Sequence, residues 1–310
     1  MTLNVIVNNV VAVDSQISYG GRTSDDWKKM QDFSSENYHG VLIGNGDGYV
    51  LLKAEAFVQK TKTDDIDTLV KLLEQEQKSI MRAKEKSYID QKEETIRNKY
   101  RTVSDPAKRE DMITREFATE MDNLDKQLQQ RVNGSVYLIA FDKRTKQIRK
   151  FRLFDHHRTS IEDLENTPVI ADGSGGDLSY AYLTTQVSGI DWEKITPPQN
   201  MYLIALACAA ATANTGVGGY MKIATVGKEN VEFLDDTKTN AMVKVCSKQI
   251  AGQISKQDAL QYVVAIQDGT IDYSHLAKVL DINESDLKLT PTNVHQDVSK
   301  FNRTYQLNQK

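Results

Sequence analysis

Cysteine is nearly missing from this chain. Its 310 residues hold two, Cys208 inside an apolar Ala-rich run and Cys246 in a Val/Lys segment. Two thiols are too few for a disulfide framework and lack the spacing of metal ligands, so both read as buried thiols. An excess of basic charge is also missing. With 39 Lys and Arg against 43 Asp and Glu, the formal charge is -4, which argues against a nucleic-acid binder and against adhesion to an anionic membrane. No basic leader precedes an apolar stretch, and no run approaches the roughly 18 apolar residues of a membrane span, so a cytoplasmic protein is expected. Neither GxSxG nor GxxxxGK[ST] occurs, so a serine-hydrolase elbow, a nucleotide or any other cofactor is not expected. Asp155-His156-His157 lacks a second histidine-carboxylate cluster nearby and reads as surface histidines rather than a metal site.

The residues that are present suffice for a sizeable core, since 39% are hydrophobic. At the start, TLNVIVNN and VVAVDSQ are β-branched runs joined at Asn8-Asn9, which reads as a hairpin placed directly against the first residue. YHGVLIGNGDGYVLLKAEAFV reads as a strand that becomes a helix across Gly44, Gly46 and Gly48. Residues 61–132 differ in kind, being rich in Lys, Glu, Asp and Gln. Ile66, Leu69, Leu73 and Ile80 form one helical stripe, and Ile113, Phe117, Met121, Leu124 and Leu128 form another, with Asp105-Pro106 as cap and first turn between them. Strand signals return in SVYLIAFD and IRKFRLFD. PVIADGSGGDLSYAYLTTQ is then a strand, a glycine turn and a helix, and NMYLIALACAAATANTG is a buried helix. YMKIATVG and VEFL close this part as strands.

Hairpins and helices in this order predict an α+β fold, a four-layer αββα sandwich with a long helical-hairpin insertion and a helical C-terminal tail. The core is expected over residues 1–60 and 133–244, the insertion over 61–132 and the extension over 245–310. The insertion, with so few apolar positions, is expected to bury little against the sandwich. In the tail, DYSHLAKVLDINESDLKLTP has the rhythm of a helix-turn-helix, but its acidic charge and Pro291 favour a docking helix pair over DNA reading.

Five stretches in this order, TLNVIVNNVVAVDSQ, WKKM, VLIGNGDGYVLL, ADGSGGDLSYAYL and YMKIATVG, resemble the proteasome β-subunit family of N-terminal nucleophile hydrolases. The closest similarity is to the compact proteasome-like proteins of bacteria and phages. The resemblance covers roughly residues 2–58 and 135–234. It implies that removal of Met1 exposes Thr2 as a nucleophile whose own α-amine is the base. It further implies that a lysine, held by an aspartate on the second strand, keeps that amine (ordinary pKa about 8) available near neutral pH. Asp14 matches the aspartate and Lys29 the lysine, with Lys28 the alternative if the register slips by one. Gly44 matches the glycine whose amide stabilises the oxyanion, and Gly46 lies one alternation further on. Ser174 matches the serine that supports the amine.

Each of these residues also has a plain reading: Asp14 as a strand-end aspartate, Lys29 as a solvated lysine, the glycines as turn formers, and Asp172 or Ser174 as a helix cap. One departure is visible in TANTGVGG, where the family has an aspartate and then a serine three residues on; this chain has Thr212 and Thr215. Two functions follow from the resemblance. One is a threonine-type peptidase or amide hydrolase acting on a peptide or protein. The other is a catalytically silent assembly or binding protein that acts through its helical insertion and tail. A homo-oligomeric ring is implied in both, with a protein partner at the insertion or the tail.

Overall fold

The computed structural model describes residues 3–15, 17–19, 22–24, 29–45, 48–124, 135–154, 161–186, 191–212 and 220–288. The opening hairpin forms as its sequence predicts. β1 (Asn4–Val7) pairs antiparallel with β2 (Val10–Asp14) through a turn at Asn8 and Asn9, and Asn8 takes the left-handed conformation (φ 53°) that a short polar side chain tolerates. The hairpin turn is clasped by carboxamides. Asn8 Nδ2 donates to Asn200 Oδ1 (2.9 Å), and Asn9 Nδ2 to the Val226 carbonyl oxygen (3.0 Å).

Both faces of this hairpin are buried. Val5, Val7, Val10 and Ala12 point to a helical layer, while Ile6, Val11 and Val13 point to a second sheet, which explains the continuous apolar runs. The first sheet has the order β10 (Val169–Asp172), β1, β2, β11 (Met221–Val226), β12 (Val231–Phe233). The second has the order β5 (Met30–Ser34), β6 (Tyr38–Gly44), β7 (Val136–Asp142), β8 (Gln147–Phe154), β9 (Glu162–Asp163). All ladders in both sheets are antiparallel. A small ribbon of β3 (Ile17–Tyr19) and β4 (Arg22–Ser24) stands apart from them.

Helices cover both outer faces. α1 (Gly48–Lys60) and the first turns of α2 (Ile66–Lys99) pack on the second sheet, where Ala54, Val58, Ile66, Leu69, Val70 and Leu73 share a cluster with Leu42, Leu138, Phe151 and Leu153. The expectation that the insertion buries little against the sandwich therefore fails for these first turns. The stripe Ile66, Leu69, Leu73 is fully buried, and each such side chain contributes about 1.5–3 kcal/mol. α3 (Pro106–Asp122) then returns along α2, starting where expected: Asp105 accepts from the Ala107 and Lys108 amides, with Pro106 in the first turn.

The other outer face carries α4 (Gly176–Gln186), α5 (Pro197–Ala211) and α6 (Asp236–Ile250). α6 is capped by Asp235 and runs through residues 244 and 245. α7 (Lys256–Asp268), α8 (Tyr273–Leu280) and α9 (Glu284–Leu287) bury Ala259, Val263, Ile266, Leu276, Leu280 and Leu287 in the cluster that holds α5 and the first sheet. The C-terminal helices are thus part of this layer. Among the described residues no helix is long and apolar enough to cross a membrane.

Candidate active site

The strand termini β1 start, β2 end, β5 start, β6 end, β7 start and β10 end converge at one end of the sandwich, and there the apolar interior gives way to charge. Asp14 Oδ1 accepts from the Leu3 amide at 2.7 Å and from Lys29 Nζ at 2.7 Å. Both side chains are buried, with 0% of the aspartate and 3% of the lysine side chain exposed. Asp14 Oδ2 is buried and has no hydrogen-bond partner. Burial pushes the Asp14 carboxyl up and the Lys29 amine down, and their mutual attraction opposes both shifts. An ion pair withdrawn from water in this way gives little net stability, so its presence at a converging set of strand ends marks a functional candidate. The sequence left Lys28 and Lys29 open; Lys29 is on Asp14, and Lys28 lies outside the described residues.

Thr2, the expected nucleophile, also lies outside the described residues, as do Met1, Gly46 and Thr215. Gly44 ends β6, and its amide donates to the Lys29 carbonyl oxygen at 3.3 Å. An N–H aimed at a strand carbonyl is engaged in pairing rather than turned toward a reacting oxygen. Thr212, at the end of α5, is exposed, and its hydroxyl donates to the Ala209 carbonyl oxygen (2.7 Å). Asp155, His156 and His157 lie outside the described residues, and among those described no group of three or more His, Cys, Asp and Glu is placed to hold a metal ion.

Ser174 sits in the turn between β10 and α4, half-buried. Gly173 before it has φ 87°, which only glycine adopts without strain. Gly176 lets α4 begin against β10, since a Cβ there would lie 3.0 Å from the Ala171 carbonyl carbon. Asp172 does not cap this helix. Its carboxylate reaches across the sheets, with Oδ2 accepting from the Tyr137 hydroxyl (2.8 Å) and Oδ1 from the Gly173 amide (2.6 Å). Burial works against the charge, yet the bonds from Tyr137, Ser135, Gly173 and Asn45 hold the Asp172 carboxyl below the usual carboxylate range. Burial, reinforced by this carboxylate, pushes the Tyr137 hydroxyl up. Asn45 Oδ1 accepts from the Ser135 amide (2.7 Å), which joins β6 to β7 at this end.

Tyr137, Ser135, Asn45 and Asp172 therefore form a polar brace beside the Asp14–Lys29 pair that sequence reasoning did not assign. Asn4 belongs to the same neighbourhood. It stands opposite Asp172 in the β1–β10 ladder, fully buried, with neither side-chain amide atom hydrogen-bonded. A polar residue at the start of a β-branched run was the available signal for Asn4. The Tyr137–Asp172 bond depends on how the two sheets face each other, which no local pattern encodes.

No protein-family model matches the sequence, and no curated protein does. Among solved structures, Anbu (ancestral beta-subunit) from Yersinia bercovieri is similar over 83% of this chain and 97% of its own, with 12% identity and a TM-score of 0.52. An Anbu mutant from Hyphomicrobium sp. strain MC1 is similar over the same shares at the same identity, with a TM-score of 0.49. Identity this low speaks to fold alone, and of these two the Yersinia structure carries the comparison. The expected close kinship with compact bacterial and phage proteasome-like proteins is thereby corrected. Of the stretches that suggested it, TLNVIVNNVVAVDSQ and YMKIATVG hold the strands β1, β2 and β11, and ADGSGGDLSYAYL holds the end of β10 and most of α4, elements that the architecture itself constrains. The chain has a distant proteasome-like fold.

Proposed function

We propose that the chain is an N-terminal threonine hydrolase that cleaves amide bonds in a peptide or protein substrate. The observation that carries this reading is the buried Asp14–Lys29 pair with the Leu3 amide on the same carboxylate oxygen. That amide nitrogen is bonded in the chain to the Thr2 carbonyl carbon, and the reading rests on Thr2 directly preceding, in sequence, the residue held by this buried pair. Once Met1 is removed, the Thr2 hydroxyl attacks the substrate carbonyl carbon and its proton passes to the free α-amine. The scissile C–N bond then breaks, the leaving amine takes that proton, and water hydrolyses the resulting ester to regenerate Thr2. The positive charge of Lys29 disfavours protonation of the α-amine, and Asp14 holds the lysine in place.

The Gly44 amide, bonded to the Lys29 carbonyl oxygen, and the exposed Thr212, where the resembled family has an aspartate, favour a second reading: a catalytically silent binding protein of the same fold. Either form is proposed as a homo-oligomer, as the resemblance implies, with the half-exposed Leu52 on α1 and Leu178 and Tyr180 on α4 as apolar side chains such contacts could cover; a monomer in sedimentation equilibrium would count against that. Intact-mass and N-terminal analysis, followed by an electrophile directed at N-terminal threonines, separates the two readings. The hydrolase reading expects a Thr2 terminus, one adduct on the TLNVIVNN peptide, and its loss in Thr2→Ala. Retained Met1, or equal labelling of Thr2→Ala, overturns it.

A further inference from the structure

The direction and length of α2 place half of it beyond the sandwich, on the side of the candidate site. α1 begins at the site end, just after Asn45, and runs away from it. The chain turns at the opposite end, where Asn37 Nδ2 donates to the Asp64 carbonyl oxygen (2.9 Å) and the Tyr38 hydroxyl meets Thr63 Oγ1 (2.6 Å). α2 then returns along β8. Asp67 pairs with Arg149 near the start of that strand (3.3 Å), and Leu73 shares a cluster with Phe151 and Leu153 nearer its end. The 34 residues of α2 span about 51 Å at about 1.5 Å per residue. The 8 residues of β8 span only about 26 Å. α2 contains neither glycine nor proline to bend it. Past Ile80 its partner is α3, through Lys92–Glu120 and Lys99–Glu116, both 2.7 Å. β8 neighbours β7, whose Tyr137 bonds Asp172 just before Ser174, so the projecting half rises on the side of that turn.

We propose that the α2–α3 hairpin is a side wall of the approach to this end of the sandwich, restricting the access of bulky molecules to the turn that holds Ser174. The wall does not rest on the hydrolase reading. Both native cysteines are fully buried, so an introduced thiol can report access directly. Ser174→Cys is placed in the full chain and in a form whose residues 83–120 are replaced by a short Gly/Ser linker, which keeps Ile66–Ile80. Glu229→Cys, on an exposed turn at the far end, serves as the reference. Each is treated with a small maleimide and with one carried on a polyethylene glycol chain.

In the full chain, position 174 is expected to take the small reagent and exclude the polymer, relative to the reference; shortening should abolish that discrimination. Should the shortened form fail to unfold cooperatively, the intact chain carrying Ile96→Ala and Ile113→Ala, which loosens the hairpin alone, should show the same gain of polymer access. Equal polymer access in the intact and altered forms, or no reaction of position 174 with either reagent, overturns the wall. Polymer exclusion together with an unlabelled, proven Thr2 terminus upholds the wall and overturns the hydrolase reading instead.

Discussion

Helices α5 and α2 solve opposite problems with opposite chemistry. α5 is buried on every side from Asn200 to Ala211, and its start is closed by a reciprocal cap between Thr196 and Gln199. Its alanines let the first sheet on one side and α6 and α7 on the other approach closely. α2 buries Ile66, Leu69, Val70 and Leu73 on the sandwich, then Tyr88 and Ile96 further out, and clothes the rest in ion pairs such as Arg97–Glu93 and Lys99–Glu116. Exposed pairs contribute little, and short isolated helices are marginal in water. The contrast teaches that burial secures the part of the chain that positions the site, while charge and helix propensity serve the part that projects. The two regions should therefore open at different free energies.

The comparison breaks most severely at the buried ion pair. Lys29→Ala leaves Asp14 charged and alone in the interior and should cost about 3–5 kcal/mol in chemical denaturation. Asp14→Leu combined with Lys29→Met should recover much of that stability without restoring reactivity at Thr2. Next comes Leu206→Ala in α5, expected to cost about 2–5 kcal/mol of global stability. Leu276→Ala in α8 should behave alike if the C-terminal helices belong to the same cooperative unit; a loss confined to local hydrogen exchange around residues 256–288 would separate them from it.

A smaller effect is expected with pH. Lys150 is buried, and its amine donates to the Thr167 carbonyl oxygen. Burial lowers that amine to about 8, against the pull of Glu165 and Asp163. Above this value the native amine has lost its proton while the unfolded lysine keeps it up to about 10.5, so the unfolded state binds more protons and stability rises with pH across that window. Cys208, pushed up by burial to about 12, acts in the opposite direction above its ordinary 9.0. The difference between the wild type and Lys150→Met isolates the lysine and should grow from pH 8 upward; a flat difference would show that the amine stays protonated. Smallest of all, Ile96→Ala should raise amide exchange in the outer hairpin and leave the main unfolding transition nearly unchanged.

Much of the architecture was legible in short-range signals. The β-branched runs around Asn8-Asn9, the cap at Asp105-Pro106 and the stripe from Ile66 to Ile80 each encode one element, and their order encodes the layers. Asp14 and Lys29 were paired only through the resemblance to the proteasome β-subunit family, which left Lys28 open; each residue alone read as a strand-end aspartate or a solvated lysine. The contacts of the last helices were not legible. The apolar stripe of Ala259, Leu260, Val263 and Val264 states that burial is needed but not where; the face the structure buries is Ala259, Val263 and Ile266, and its place depends on α5 and α6. The Tyr137–Asp172 brace was hidden for the same reason: its two strands are far apart in sequence and meet only because two sheets stack.

The carboxamide clasp at the hairpin turn has a consequence for chemical ageing. Asn8 donates to Asn200, and Asn200 Nδ2 in turn donates to Asn9 Oδ1 at 3.5 Å. Hydrolytic loss of ammonia from Asn8 replaces the donor with a carboxylate oxygen that faces the oxygen of Asn200. Rotation of the Asn200 amide relieves that encounter only by abandoning Asn9. Either way a partly buried polar group loses its partner, at about 1–3 kcal/mol. The lesion sits at the far end of β1 and β2, the two strands whose other ends carry Leu3 and Asp14, so time spent in solution would wear the hairpin at its turn before it reached the charged end.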